Sequence, residues 1–217
     1  MFFKLIVSLL LLVQPAEIVV DKIAAVVNDE IITVSDIDKS LLLYSPVENS
    51  GSYEEDLYLK ELDKLINHKV VFLEYKDQFE LSEEDFENVQ RSIIERYGSM
   101  DDTKRILEKF DMDLKDFRLF LTEKILYEKV IEDKFKLGVV IEFSDIEEFY
   151  KNDYLPSRKK LGIEPKSIID MTPVIENFLR GKKVRKELSQ WLEGIKASYS
   201  IKNILSDERK RDEEEAN

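Results

Sequence analysis

The stretch VDKIAAVVNDEIITVSDID, at Val20–Asp38, predicts a β-hairpin followed by a helix. Residues 19–27 are rich in β-branched and small apolar side chains, which favour a strand. Asn28 and Asp29 form a two-residue loop of types that tolerate left-handed backbone angles, and residues 30–34 continue as a second strand. Because a two-stranded hairpin alone is only marginally stable in water, we expect a third strand or a helical cover.

The expected third strand lies at the opposite end of the chain. The segment YSIKNIL, at Tyr199–Leu205, is short and β-prone, and it is the one other convincing strand in the sequence. We therefore predict a three-stranded antiparallel sheet that joins the two ends of the chain over a set of helices.

Helical patterns fill the sequence between these strands. Apolar residues recur at intervals of three and four, and the low content of Gly and Pro suits long helices. The predicted fold class is mainly α: a multi-helix module with a small sheet formed by an N-terminal hairpin and a C-terminal strand. The predicted helices span residues 36–44, 53–78, 83–97, 101–110, 114–136, 145–151 and 173–197.

Capping signals mark the starts of these helices. In four places a serine precedes a carboxylate by three residues, so that both side chains can accept hydrogen bonds from N–H groups of the first turn. Asp113 can cap a further helix alone, and Thr172 before Pro173 predicts the start of the last helix. The four serines are Ser35, Ser52, Ser82 and Ser144.

The N-terminal residues resemble an export signal. Lys4 precedes the apolar run Leu5–Val13, which is too short to cross a bilayer, and Gln14–Ala16 offers a cleavage site. A buried N-terminal helix or strand is the alternative. We predict a signal peptide at residues 1–16 and no membrane span in the mature chain.

The rest of the chain divides into a core and a tail. Residues 206–217 are charged almost throughout and are expected to be disordered. The core spans residues 17–205, and its parts are the hairpin and helices (17–151), a connector with two prolines and a basic cluster (152–172), and the last helix with its strand (173–205).

The composition excludes several classes of protein. Hydrophobic residues make up 43% and charged residues 36% of the 217 residues, as in globular proteins. The net charge of −13 argues against a nucleic-acid partner, because phosphate binding needs a basic surface. The absence of Cys excludes disulfides, thiol catalysis, zinc–thiolate sites and a lipoprotein anchor.

No arrangement of residues predicts catalysis, a metal or a cofactor. His68 is the single histidine, has no second ligand for a metal, and is expected at the surface or at the edge of the core. Paired carboxylates such as Glu147 and Glu148 lie in predicted first helical turns, where negative charge is favoured.

The basic stretch Arg180–Lys186 is interpreted as a solvated helix face, with an anionic partner or membrane surface as the alternative. Trp191 is expected in the core.

Two stretches resemble the SurA-type periplasmic chaperones. VDKIAAVVNDEIITVSDID is similar to that family's N-terminal hairpin and first helix, and FLRGKKVRKELSQWLEGIKASYSIKNIL, at Phe178–Leu205, resembles its C-terminal helix and closing strand. Weaker similarity to the family's middle helices extends the resemblance over residues 18–205. In the family, parvulin-type prolyl isomerase domains of roughly a hundred residues sit before the C-terminal helix, and here about twenty connector residues occupy that place.

The resemblance implies an ATP-independent periplasmic holdase without isomerase activity. Its expected partners are unfolded outer-membrane or secreted polypeptides, held in extended form. A dedicated interaction subunit that docks one folded envelope partner is the alternative, and residual prolyl isomerase activity is a third possibility.

Three side chains near predicted helix ends are candidates for client binding. Met100, Phe110 and Met112 are flexible or aromatic, and such side chains adapt to many sequences. Burial of all three in the core is the alternative.

Overall fold

A computed structural model of the protein describes residues 21–44, 55–135 and 139–215. The predicted signal peptide and the Ser52 cap lie outside the described residues. The described chain is mainly helical with one small sheet, as predicted. Its elements are β1 (Ile23–Val27), β2 (Glu30–Thr33), α1 (Val34–Tyr44), α2 (Glu55–Tyr75), α3 (Glu83–Tyr97), α4 (Met100–Glu108), α5 (Leu114–Phe135), α6 (Phe143–Phe149), a π-helical segment (Tyr150–Tyr154), α7 (Leu155–Leu161), α8 (Ile168–Lys196), β3 (Ile201–Asn203) and α9 (Ile204–Glu215).

The sheet joins the two ends of the described chain. Its strand order is β2-β1-β3, and both pairings are antiparallel. Val26 of the central strand β1 lies opposite Ile31 of β2 and Lys202 of β3. The predicted pairing of the hairpin with a C-terminal strand is confirmed.

The hairpin loop itself takes part in the junction. Asn28 adopts a left-handed backbone with φ of 53°, which asparagine tolerates better than most residues. Its N–H donates to the Ser200 carbonyl at 2.7 Å, and its side-chain oxygen accepts the Ser200 N–H at 2.8 Å. The turn residue therefore also fixes the chain at the entry to β3.

Strand β1 is largely buried. Ala25 and Val27, which share one face of the strand, are fully buried, and Val26, which points to the other face, is half-buried. Helices α2 and α9 both pack against β1. The cluster around the sheet includes Ile37 and Leu41 of α1, Leu62, Ile66 and Val70 of α2, and the partly buried Ile201 and Leu205.

The expectation of a disordered tail is wrong for residues 206–215, which belong to α9. The Asn203 side chain accepts the Ser206 N–H at 3.0 Å, as a helix N-cap does. Two ion pairs fasten the helix to the body: Lys22 with Glu208 at 2.6 Å and Asp56 with Arg209 at 2.5 Å.

Two further apolar clusters complete the body of the molecule. One joins α1, α3, α4 and α5 through buried Leu43, Phe86, Ile93, Leu107, Phe117 and Leu121. The other joins α2, α5 and α8 through Val71, Leu126, Val130 and Leu192. Trp191, which is partly buried, packs against this last cluster with its ring 5.9 Å from that of Tyr75, so it lies at the edge of the core.

The capping signals are partly correct. Ser82 forms the predicted capping box with Asp85, and Asp113 accepts the N–H groups of Lys115 and Asp116. The signals at Ser35 and Ser144 are wrong by two residues each. Helix α1 is capped by the Thr33 hydroxyl and Asp36, and α6 by Glu142 and Asp145, because each helix begins two residues earlier than predicted.

The connector prediction is also corrected. Residues 150–161 continue α6 through the π-helical segment into α7, and α8 begins at Ile168, so Pro173 lies inside the helix. The N-cap is Ser167, whose hydroxyl accepts the Asp170 N–H at 3.2 Å.

The π-helical segment accommodates a proline. The N–H of Leu155 donates to the Tyr150 carbonyl, five residues back, and Pro156, which has no N–H, follows directly. The wider π turn moves the proline ring away from the carbonyl that it would strike in an α-helix.

His68 is a residue of α2 and lies at the edge of the core, as predicted, where it contacts α5. Its ring packs against that of Tyr127 at a centroid distance of 4.6 Å. Burial lowers the pKa of His68 to about 3, and the positive charges of Lys124 and Lys64 act in the same direction. The imidazole is therefore neutral over the physiological pH range.

Replacing Lys202 with Pro tests the junction of the chain ends. The ladder places the Lys202 N–H towards Val26, while the Lys202 side chain is exposed. Lys202→Pro removes this hydrogen bond and should lower the free energy of unfolding by about 2 kcal/mol in a urea titration. Lys202→Thr keeps the N–H, and we expect a change within about 0.5 kcal/mol. Equal stability of the two variants would contradict the pairing.

A second prediction concerns acid stability. The folded-state pKa of His68 lies below the ordinary value of 6.5, so the unfolded chain binds the extra proton and stability falls as pH drops below 6.5. Between pH 7.5 and 5 the loss for this group is up to about 2 kcal/mol. Burial raises the pKa of Glu123, an effect of opposite sign, so the difference between wild type and His68→Gln isolates the histidine. Parallel curves of unfolding free energy against pH would refute the assignment.

Candidate functional site

The three predicted client-binding residues are not gathered at one surface. Met112 is buried, with 9% of its surface exposed, and Phe110 packs against the same cluster as a partly buried side chain. Met100 is partly buried at the start of α4. Of the three, only Met112 lines the open groove of about 500 Å³ between α4 and α5. Met112 and Phe110 therefore serve mainly as core.

A second concavity of about 120 Å³ lies beside His68. The lysines at its rim are occupied: Lys69 pairs with Glu123, and Lys124 pairs with Glu128. The Tyr44 hydroxyl, which also lines it, has no hydrogen-bond partner among the described residues, and burial raises the pKa of Tyr44. Within the described part of the chain, this small cavity holds no pair of free charges that would recognise a ligand.

The third region, residues 139–187, is called the arm. It consists of α6, the π-helical segment, α7, the following loop and the N-terminal half of α8. Its own small core contains Ile146 and Ile175, both buried, and at its edge the half-buried Phe149 contacts the exposed Phe178, with ring centroids 5.1 Å apart. Arg180 and Lys183 of α8 donate to the carbonyls of Val139 and Val140 at 2.6 and 3.3 Å. These contacts hold the start of the arm on α8.

Two tyrosines fasten the loop after α7. The Tyr150 hydroxyl donates to the Lys166 carbonyl at 2.7 Å, and the Tyr154 hydroxyl accepts the Lys166 N–H at 3.0 Å. Gly162 ends α7 with φ of 67°, a left-handed conformation that glycine adopts without strain. The segment predicted as a connector is thus fixed by these hydrogen bonds and forms part of the arm.

The arm holds most of the exposed large hydrophobic side chains, and the other described residues are called the body. Among the described residues, eleven large hydrophobic side chains are exposed, and seven of them lie in the arm although it is much the shorter part. Ile169 is 81% exposed and Val140 is 70% exposed. The other five are Phe143, Leu161, Ile163, Val174 and Phe178. Concentrated apolar exposure of this kind marks interaction surfaces in soluble proteins.

An open groove of about 450 Å³ runs between α6 and α8 within the arm. Its apolar lining comes from Ile141, Phe149 and Leu179. Charged side chains border this lining: carboxylates on the side of α6 and the π-helical segment, and lysines on the side of α8. They are Asp145, Glu148 and Asp153, and Lys182, Lys183 and Lys186.

The sequence prediction missed the arm for a physical reason. Helix α8 buries Ile175 against α6 and Leu192 against α2 and α5, and these two residues lie roughly 100° apart around the helix axis. The apolar periodicity of three and four residues describes one stripe along a helix, so it does not indicate a second buried face on α8. The pair Ser167 and Asp170, spaced like the other caps, is the signal that marks the true start of α8.

Metal-binding clusters and membrane-spanning helices are both absent from the described residues. No group of three or more His, Asp or Glu side chains in the described ranges could hold a metal ion. Within those same ranges, no helix has the length and apolar character needed to cross a bilayer. The arm can bury apolar side chains of another polypeptide beside charges of both signs.

The comparisons with known proteins leave the family open. No protein-family model matches the chain, and no curated protein sequence matches it significantly. The resemblance to SurA-type chaperones therefore stays a prediction from the residues quoted above.

Proposed function

We propose that the protein is an ATP-independent chaperone that holds unfolded polypeptides on the exposed apolar side chains of its arm. The observation that carries this proposal is the concentration of seven exposed large hydrophobic residues in the arm. An unfolded client exposes apolar side chains in no fixed order, and a surface of separate apolar contacts can bind many such sequences. The resemblance of the two chain ends to SurA-type chaperones supports the same function.

The composition of the arm suits this role. Residues 139–187 carry ten basic and nine acidic side chains, whereas the whole chain has a net charge of −13. A nearly neutral surface attracts and repels clients of either charge only weakly, so apolar contacts dominate binding. Release then needs no nucleotide, because such contacts are individually weak and reversible.

The proposed place of action is the periplasm, and the proposed clients are unfolded outer-membrane or secreted polypeptides. The N-terminal sequence, with its apolar run after Lys4, supports export. We propose no prolyl isomerase activity, since the resembled family's isomerase domain has no counterpart of sufficient length. His68, the chain's single histidine, packs between α2 and α5 outside the arm.

Holdase activity should depend on the arm. Wild type should suppress the aggregation of a denatured outer-membrane β-barrel protein, measured by light scattering after dilution from urea. The triple variant Phe143→Ser, Ile169→Ser, Val174→Ser removes side chains that are 55%, 81% and 58% exposed, so the fold should persist. We expect this variant to need roughly ten-fold more protein for equal suppression, because each lost contact weakens binding.

The matched control removes as many exposed apolar side chains from the body. Ile31→Ser, Leu114→Ser, Leu119→Ser alters residues that are 51%, 49% and 62% exposed. This variant should retain wild-type suppression. Loss of suppression in the control alone would move the client site away from the arm, to the groove between α4 and α5 lined by Leu114 or to the cavity beside His68 lined by Ile31 and Leu119. No suppression by wild type at several-fold molar excess would reject the holdase function.

Photo-crosslinking separates a holdase from a subunit with one folded partner. A photoreactive residue placed at Ile169 should capture many unfolded envelope proteins, because apolar binding is not selective. One stoichiometric partner in place of many clients would favour the interaction subunit.

A standard proline-peptide assay should show no acceleration of cis–trans exchange, and acceleration would restore the isomerase alternative.

A further inference from the structure

The groove between α6 and α8 separates opposite charges on its two sides. Carboxylates of Asp145, Glu148 and Asp153 border it on one side, and the amino groups of Lys182, Lys183 and Lys186 border it on the other. Between the two sides lie the partly buried Ile141, Phe149 and Leu179. The surface is thus an apolar strip with an acidic edge and a basic edge.

Most of these charges are free in the described part of the chain. Lys182, Lys186, Glu148 and Asp153 are exposed and form no ion pair there. Elsewhere in the arm, charges are matched at short distance, as in the pair of Glu176 with Arg180 at 2.5 Å. The two edges of the groove can therefore form ion pairs with charged side chains of another molecule.

A surface with this pattern is complementary to itself. A two-fold axis along the groove, in the plane of contact, places the basic edge of one copy against the acidic edge of the other, twice over. An axis across the groove would instead oppose like charges. We propose that a second copy of this chain docks on the α6–α8 groove and forms a two-fold symmetric dimer of arms.

The overall charge distribution favours this surface over others. The chain has a net charge of −13, whereas residues 139–187 hold ten basic and nine acidic side chains, so the excess negative charge lies outside the arm. Two bodies brought into contact would repel each other, whereas two arms would not. The exposed Phe178, whose ring contacts Phe149 at the groove, adds apolar area to the contact.

The dimer goes beyond the proposed chaperone function and does not depend on it. Docking through the groove would bring two sets of exposed apolar side chains to one assembly. Ile169, Val174 and Phe143 do not line the groove, so client binding and dimerisation can be altered separately.

Charge reversal on each edge tests the proposal. The variant Lys182→Glu, Lys186→Glu makes both edges acidic, and the variant Glu148→Lys, Asp153→Lys makes both basic. Each variant should dimerise roughly ten-fold or more weakly than wild type in sedimentation equilibrium, because like charges then face each other. An equimolar mixture should regain dimers, since every acidic edge again meets a basic edge. Raising the salt concentration should weaken the wild-type dimer.

A control variant and the client assay separate the possible outcomes. Lys159→Glu, Lys160→Glu makes the same charge change on α7, outside the groove, and should dimerise like wild type. A wild-type chain that stays monomeric at about 100 µM, or a mixture that fails to regain dimers, overturns the proposal. Monomeric charge variants that still suppress aggregation would show that dimerisation, and not client binding, has been lost.

Discussion

The pairing of β1 with β3 is the contact on which the rest of the structure depends. It brings together residues more than 170 positions apart, and closing so long a loop costs conformational entropy. Burial of β1 against α2 and α9 offsets that cost. Because β3 directly follows α8, the same pairing fixes the C-terminal half of α8 against α2 and α5, and so sets where the arm begins.

Those parts of the fold that rest on local chemistry could be predicted from the sequence. The hairpin followed from β-branched residues flanking Asn28, and the start of α3 followed from Ser82 and Asp85. The errors arose where one local signal competed with another. Pro173 marked a helix start, but the Ser167 cap lies one and a half turns earlier and the helix runs through the proline. The charged tail indicated disorder, yet the Asn203 cap and two ion pairs to the body hold it as α9.

The candidate site was harder to predict, because exposure is a tertiary property. Met112 and Phe178 are both apolar residues near or within helices, and the sequence gives no rule that separates them. The first is covered by α3 and α5, while the second is 49% exposed because α8 turns a different face to α6. A helix that packs on two partners in succession carries apolar residues around more of its circumference than one stripe requires. That excess is the sequence feature that could have pointed to the arm.

The negative charge of the body and the exposed apolar surface of the arm have opposite effects on association between molecules. Exposed apolar surface favours unwanted association, and a large net charge of one sign opposes it by keeping molecules apart. Had the charge been spread evenly, the arm would repel acidic segments of any bound polypeptide as strongly as the body does. Concentrating the negative charge outside residues 139–187 opposes association between bodies without adding net negative charge to the arm. The separation of charge from exposed apolar surface therefore fits the proposal that the arm binds other polypeptides through apolar contacts.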